Sequence, residues 1–114
     1  MKVVINSDYG GFGLSEEAIR RYAIKAGLKL IESGPDKYGF THFYRNELGE
    51  DNYFTDRDIP RNDESLVAVI EEMGEESWSR YSELKVVEIP NDVNWCIEEH
   101  DGLEWVAERH RKWY

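Results

Sequence analysis

The feature that most constrains this chain is a glycine-rich turn at residues 6–15, Asn-Ser-Asp-Tyr-Gly-Gly-Phe-Gly-Leu-Ser. It follows the apolar run at residues 3–5 and precedes a helical pattern. Three glycines in four positions relieve the backbone of Cβ clashes, so the chain can turn sharply there. Ser15 is a predicted helix N-cap, and Leu14 with Ile19 fits a hydrophobic staple. The stretch therefore predicts a strand that turns directly into a helix.

A strand-to-helix turn of this kind also predicts an anion site. Free backbone N–H groups and the positive end of the helix dipole meet at one place, which favours a phosphate. The aromatic rings can stack on a base, and the asparagine can read a base or ribose edge. The predicted ligand-binding residues of this stretch are Asn6, Tyr9, Gly10, Gly11, Phe12, Gly13 and Ser15. The alternative is a plain tight turn with Phe12 in the core, since the spacing is not that of a dinucleotide motif and the P-loop lysine is absent.

Composition bounds the class of protein. The 114 residues are predicted to form one domain, residues 1–114, with a formal net charge of −10. Such an acidic chain repels nucleic acid and anionic membranes, so general nucleic-acid or membrane binding is not expected. The aromatic share of 13% is high and favours interfaces or ring-stacking pockets. The single cysteine, Cys96, excludes an internal disulfide, and no Cys/His spacing indicates zinc, so neither metal nor cofactor is predicted.

The periodicities along the chain predict a mixed α/β or α+β domain. Strands are predicted at residues 2–6, 28–32, 38–45, 53–55, 84–89 and 93–99, and helices at 16–26, 63–73 and 103–111. The helix between the first two strands indicates a βαβ unit with a right-handed crossover if those strands are parallel. The expected architecture is a compact domain with one mixed sheet of about five or six strands and about three helices.

Two arginines on a stiff loop extend the predicted anion site. Arg57 and Arg61 flank Asp-Ile-Pro, and Pro60 restrains the backbone between them. Two guanidinium groups held this way can form a fork for phosphate or carboxylate. The alternative is a pair of surface salt bridges to neighbouring aspartates.

The densest titratable cluster is Glu98-Glu99-His100-Asp101. Glu with His can perform acid–base catalysis or bind a divalent cation. The cluster sits at a predicted strand end before a turn, where charges are usually only solvated. No Ser-His-Asp order or other nucleophile signature is present, so no catalytic residue is predicted.

Three stretches taken together resemble a family of small, mostly uncharacterised proteins of tailed bacteriophages. They are YGGFGLS at residues 9–15 after the strand at 3–6, RDIPR at 57–61, and LKVVEIP at 84–90 with its continuation to residue 111. The segment at residues 33–56 looks shorter than its counterpart in many members of that family.

The resemblance implies a role against host defence, since small phage proteins that are neither structural nor replicative often act there. One such class sequesters the cyclic oligonucleotide or cyclic ADP-ribose signals of bacterial immunity without enzymatic activity. The resemblance therefore implies a nucleotide-type ligand, a homo-oligomer and a location in the cytoplasm of the infected host. Two alternatives stay open: an acidic inhibitor that binds a host protein, and a hydrolase or phosphodiesterase using Glu98 and His100.

Overall fold

The computed structural model describes residues 1–109, which form an α+β domain with two α-helices and seven strands. The predicted α+β class is confirmed, with two helices rather than three. The helices are α1 (Glu16–Ala26) and α2 (Glu64–Met73). The strands are β1 (Lys2–Asn6), β2 (Leu30–Ser33), β3 (His42–Arg45), β4 (Tyr53–Phe54), β5 (Leu84–Glu88), β6 (Trp95–His100) and β7 (Leu103–Glu108).

The strands form three small antiparallel sheets rather than the single mixed sheet that the sequence predicts. β1 pairs with β5, β2 with β3 and β3 with β4, and β6 with β7. The predicted βαβ unit is wrong, because α1 leads from β1 into a different sheet. There β2 finds its antiparallel partner in β3, with Ile31 opposite Tyr44 and Glu32 opposite Phe43.

Helix α1 begins and ends where its sequence predicts. The Ser15 side chain accepts a hydrogen bond from the Ala18 amide, and Gly27 ends the helix in the left-handed conformation, at φ 71°. Asp63 caps α2 in the same way through the amides of Ser65 and Leu66. Both helices therefore carry their boundaries in local sequence.

The core lies where the two helices meet the β1–β5 sheet and the β2–β3–β4 sheet. Helix α2 packs on β1, β5 and α1, and Tyr22 of α1 stacks on Phe54 of β4 with ring centroids 6.4 Å apart. The buried apolar cluster comprises Val4, Leu14, Ala18, Ile19, Tyr22, Phe43, Phe54, Ile59, Leu66, Val67, Val69, Ile70 and Leu84. The glycine-rich turn enters this core through Leu14.

The predicted helix at 103–111 is wrong: residues 103–108 are strand β7, and residues 110–111 lie outside the described part. Asp101 and Gly102 both have positive φ, 49° and 90°, and join β6 to β7 in a two-residue turn. An Asp-Gly pair with both φ values positive is the turn that closes tight hairpins. The pairing of His100 with Leu103 then extends six residues along each strand, to Trp95 and Glu108.

Residues 38–41, predicted as strand, form a turn instead. The Asp36 carboxylate accepts hydrogen bonds from the amides of Tyr38 and Phe40, and the Asp36 amide donates to the Phe40 carbonyl at 2.8 Å. Aspartate closes such turns readily because its short side chain reaches its own downstream backbone. Within residues 1–109, no helix is long and apolar enough to cross a lipid bilayer.

Candidate functional site

Two glycines of the glycine-rich turn adopt backbone conformations that other residues rarely reach. Gly10 and Gly11 adopt φ values of 119° and 101°, which residues with a Cβ rarely reach. Gly13 packs so closely on Ser79, in the segment between α2 and β5, that an added Cβ would lie 2.7 Å from the Ser79 Oγ. The turn is therefore compact and held against other parts of the chain.

Hydrogen bonds within the protein use several amides of the turn. The amides of Tyr9, Gly10, Leu14 and Ser15 donate to the Asp8 carboxylate, the Asp101 carbonyl, the Asp56 carboxylate and the Ser77 carbonyl, at 2.8, 3.1, 2.9 and 2.9 Å. In contrast, no hydrogen bond among residues 1–109 uses the amides of Gly11, Phe12 or Gly13. Gly13 is buried against Ser79, so Gly11 and Phe12 are the two residues of these three whose unused amides lie in partly exposed backbone.

Two predicted ligand-binding residues have structural roles instead. Ser15 caps α1, and its Oγ also donates to the Glu76 carbonyl at 2.7 Å. Asn6 is completely buried, and its amide nitrogen donates to the carbonyls of Asp8 and Gly102 while its oxygen accepts from the Glu83 amide. Its hydrogen-bonding groups are engaged within the protein, so Asn6 does not face a ligand in this arrangement.

Arg61 is bound to a carboxylate that the predicted site residues do not include. Its guanidinium forms a bidentate pair with Glu104 of β7, at 2.6 and 2.8 Å, and contacts the Val4 carbonyl at 3.3 Å. The Glu104 side chain is 9% exposed and also accepts the Asn6 amide at 2.8 Å. The alternative predicts surface salt bridges to neighbouring aspartates, whereas the carboxylate that Arg61 binds comes from the last hairpin and the pair is largely buried.

Arg61 also stacks on the aromatic ring of Phe12. The centre of its guanidinium lies 3.6 Å from the centroid of the Phe12 ring, which is the distance of direct cation–π contact. Phe12 is partly buried against the core, so both its predicted core role and its position beside the arginine loop are seen. One face of the Phe12 ring is therefore covered by Arg61, and a base that stacks here would meet the outer face of the guanidinium.

Arg57 has a different environment from Arg61. Its side chain is exposed, and no ion pair of the described residues includes it. It lines a cleft of about 300 Å³ together with Gly11, Phe12, Arg61, Glu99 and Glu104, which we call the glycine cleft. The cleft thus joins the first turn, the 57–61 loop and the last hairpin.

The glycine cleft combines donors with two carboxylates. Arg57 and the unused amides of Gly11 and Phe12 can bind an anionic group. Glu104 neutralises Arg61, and Glu99, whose Oε2 accepts the Gly102 amide at 3.1 Å, faces the same cleft. This arrangement suits a ligand that carries both an anionic group and hydrogen-bond donors such as hydroxyl or amino groups.

The predicted stacking residues are divided between different surfaces. Tyr9 is 59% exposed and does not line the glycine cleft. The Trp78 indole donates to the Leu84 carbonyl at 3.1 Å, and the Trp105 indole donates to the Glu98 carboxylate at 3.2 Å. Only Phe12, among the aromatic residues that the structure describes, contributes a ring to this cleft.

The predicted titratable cluster at residues 98–101 is divided: Glu99 lines the glycine cleft, whereas His100 and Asp101 are exposed to solvent. His100 and Asp101 have side chains 73% and 79% exposed, and the nearest approach of their charged groups is 3.5 Å. No group of three or more potential metal ligands occurs in the described part of the chain.

Comparison of the chain with protein-family models, with curated proteins and with solved structures finds no match.

Proposed function

We propose that this protein is a non-enzymatic binding protein that sequesters a nucleotide-type ligand in the glycine cleft. The observation that carries the proposal is that one cleft is lined by Arg57, which forms no ion pair within residues 1–109, and by Gly11 and Phe12, whose amides form no hydrogen bond there. A phosphate oxygen accepts strong charge-assisted hydrogen bonds from groups of both kinds. The Arg61 guanidinium adds a flat surface on which a base can stack.

The ligand class follows from the chemistry of the cleft and from the phage resemblance. A phosphate can accept hydrogen bonds from the Arg57 guanidinium, whereas ribose hydroxyls or base amino groups can donate to the Glu99 carboxylate. Cyclic oligonucleotides and cyclic ADP-ribose derivatives carry both kinds of group. The proposed setting is therefore the cytoplasm of an infected bacterium, where such molecules act as immune signals.

The test is calorimetry with a panel of cyclic dinucleotides, cyclic trinucleotides and ADP-ribose derivatives. We expect tight binding of at least one member, with the affinity reduced about 10–100-fold in Arg57→Ala, because a hydrogen bond to a charged group contributes roughly 1.5–3 kcal/mol. Arg21→Ala is the matched control, since Arg21 is an exposed arginine of α1 away from the glycine cleft. Absence of binding across the panel, or equal affinities in the wild type and Arg57→Ala, would contradict the proposal.

The same samples distinguish the remaining alternatives. A bound nucleotide recovered intact by chromatography agrees with sequestration, whereas conversion to a linear or shorter product would support the hydrolase alternative. Native mass spectrometry of the complex counts both subunits and ligands, and it tests the proposed homo-oligomer directly. The protein-binding alternative is favoured by a separate observation, the exposed aromatic residues Tyr38, Phe40 and Tyr53.

A further inference from the structure

A second cleft, on the β2–β3–β4 sheet, has the composition of a cation site. Its volume is about 190 Å³, and its walls include Phe40, Phe43, Tyr53 and Phe54 together with the carboxylates of Glu16 and Asp56. None of the described residues that line it carries a positive charge. We call it the aromatic cleft. Among residues 1–109, none lines both this cleft and the glycine cleft.

The carboxylates of the aromatic cleft are held in place by backbone amides. Asp56 accepts the Leu14 amide through Oδ2 at 2.9 Å, and Glu16 accepts the Thr41 amide through Oε1 at 2.9 Å. Asp56 therefore keeps Oδ1 unused by its amide partner, whereas the second oxygen of Glu16, Oε2, lies 3.7 Å from the Arg20 guanidinium. An acceptor already held in position loses little conformational entropy when it binds a ligand.

The rings of this sheet already bind cations from the same chain. Arg45 lies 5.0 Å from the centroid of Phe54, and Arg20 lies 5.9 Å from that of Phe43. Phe40 and Tyr53 are 63% and 46% exposed, and no cation from residues 1–109 covers either ring. Tyr53 is also held by a hydrogen bond between its hydroxyl and His42 Nδ1, at 3.2 Å. Two partly exposed rings, of which Tyr53 also contacts His42 and Tyr44, can thus accept an external cation.

We propose that the aromatic cleft binds an arginine or lysine side chain of a partner protein. The carboxylates and the exposed ring faces select a positive group, and the net charge of −10 attracts a basic partner. The turn at residues 36–40 carries a second exposed aromatic residue, Tyr38, 72% exposed, two positions before Phe40, and the Lys37 ammonium lies 5.0 Å from its ring centroid. The occupant is therefore a basic residue flanked by apolar residues, rather than a free amine.

The test is a nuclear magnetic resonance titration with three blocked tripeptides, leucine-arginine-leucine and its lysine and citrulline analogues. Citrulline has nearly the shape of arginine without its charge, so it isolates the electrostatic contribution. We expect amide shifts at residues 40–56 and an affinity about tenfold higher for the arginine peptide than for the citrulline peptide. Asp56→Asn should abolish this preference.

Asp51→Asn is the matched control, because it removes the same charge from an exposed residue that does not line the aromatic cleft. Phe40→Ser is the second variant, and the exposure of Phe40 makes its removal tolerable for the core. It should weaken the arginine peptide at least threefold. Equal affinities for arginine and citrulline, or an unchanged preference in Asp56→Asn, would overturn the proposal. Concentration-dependent shifts at the same residues without peptide would do so too, by identifying the occupant as a second copy of the chain.

Discussion

Asn6 illustrates at the residue scale why a polar side chain beside a glycine turn need not face a ligand. Its amide group connects β1 to the segment before β5 and to the turn of the last hairpin. It is completely buried with its polar atoms bonded, as buried amides in stable proteins are. Glu104 also links distant segments, because its carboxylate binds the Arg61 guanidinium and accepts a hydrogen bond from the backbone N–H of Asn6. Glu104 lines the glycine cleft, and Asn6 links the glycine-rich turn to the turn of the last hairpin.

Tyr22 leads to a prediction about stability at high pH. Burial of its phenol, then its hydrogen bond to Asp63 at 3.0 Å and the charge of that carboxylate, raises the pKa of Tyr22 to about 12. In the unfolded chain the phenol ionises near pH 10, so the unfolded state releases a proton that the folded state keeps. The free energy of unfolding should therefore fall by roughly 2–3 kcal/mol as the pH rises from 10 to 12.

Urea unfolding curves between pH 8 and 12 measure this fall in the wild type, Tyr22→Phe and Tyr38→Phe. Tyr22→Phe should lack this part of the pH dependence. Tyr38→Phe is the control, since Tyr38 is 72% exposed and should leave the dependence unchanged. Identical pH profiles for the wild type and Tyr22→Phe would show that this phenol does not ionise differently on folding.

At the element scale, the β6–β7 hairpin completes the glycine cleft. Its turn packs on the glycine-rich turn, because the Gly10 amide donates to the Asp101 carbonyl at 3.1 Å and Gly102 lies against the Gly10–Gly11 backbone. Its strand β7 supplies Glu104, and β6 supplies Glu99. Two of the six residues of the cleft thus depend on how this hairpin docks.

Gly102→Ala tests the docking of the hairpin. A Cβ at this position would lie 2.7 Å from the Gly10 nitrogen, so one of the two turns must move. Gly39→Ala is the matched control, because Gly39 has nearly the same φ, 86° against 90°, and its added Cβ would meet no atom of the described residues within 4 Å. Backbone strain is then common to both variants, and we expect Gly102→Ala to lose about 1–3 kcal/mol more than Gly39→Ala.

The measurement is the free energy of unfolding of both variants, from urea curves. Losses equal within error would indicate that the hairpin turn is not packed on the glycine turn. If the docking also shapes the glycine cleft, Gly102→Ala should bind the nucleotide more weakly than Gly39→Ala does.

At the scale of the whole molecule, the charge balance sets the response to salt. The chain has 24 acidic and 14 basic residues. Its ion pairs on the surface, such as Lys2–Glu71 at 3.0 Å and Lys25–Glu72 at 2.7 Å, are partly exposed and contribute little each. We therefore expect repulsion among the excess carboxylates to outweigh these pairs at low ionic strength.

We expect the melting temperature to rise by about 2–5 °C when sodium chloride is raised from 0.01 to 0.15 M, since the Debye length falls from about 30 to 8 Å. Calorimetry at pH 7.5 measures the shift, with potassium chloride as the control for a specific sodium effect. A melting temperature that falls with salt would mean that favourable ion pairs dominate instead.

Local features of this chain can be predicted from its sequence, because the interactions that cause them lie within a few residues. The cap of α1 at Ser15, its end at Gly27 and the turn at Asp101-Gly102 each depend on neighbouring backbone and side chains. Residues 103–108 are ambiguous, since Leu103, Val106 and Ala107 suit a helical face while Leu103, Trp105 and Ala107 suit a strand. Pairing with β6, which closes through the Asp-Gly turn, resolves that ambiguity in favour of a strand.

The partners of the site residues follow from contacts between distant segments. Arg61 and Glu104 are 43 positions apart, Leu14 and Asp56 are 42 apart, and β1 pairs with β5 across most of the chain. Arg57 and Arg61 are both arginines of the 57–61 loop, and both line the glycine cleft. Glu104 neutralises Arg61, whereas Arg57 is an exposed cation. The loop sequence alone does not distinguish the two arginines. The Glu104 carboxylate distinguishes them, and it reaches Arg61 only when the last hairpin folds against β1.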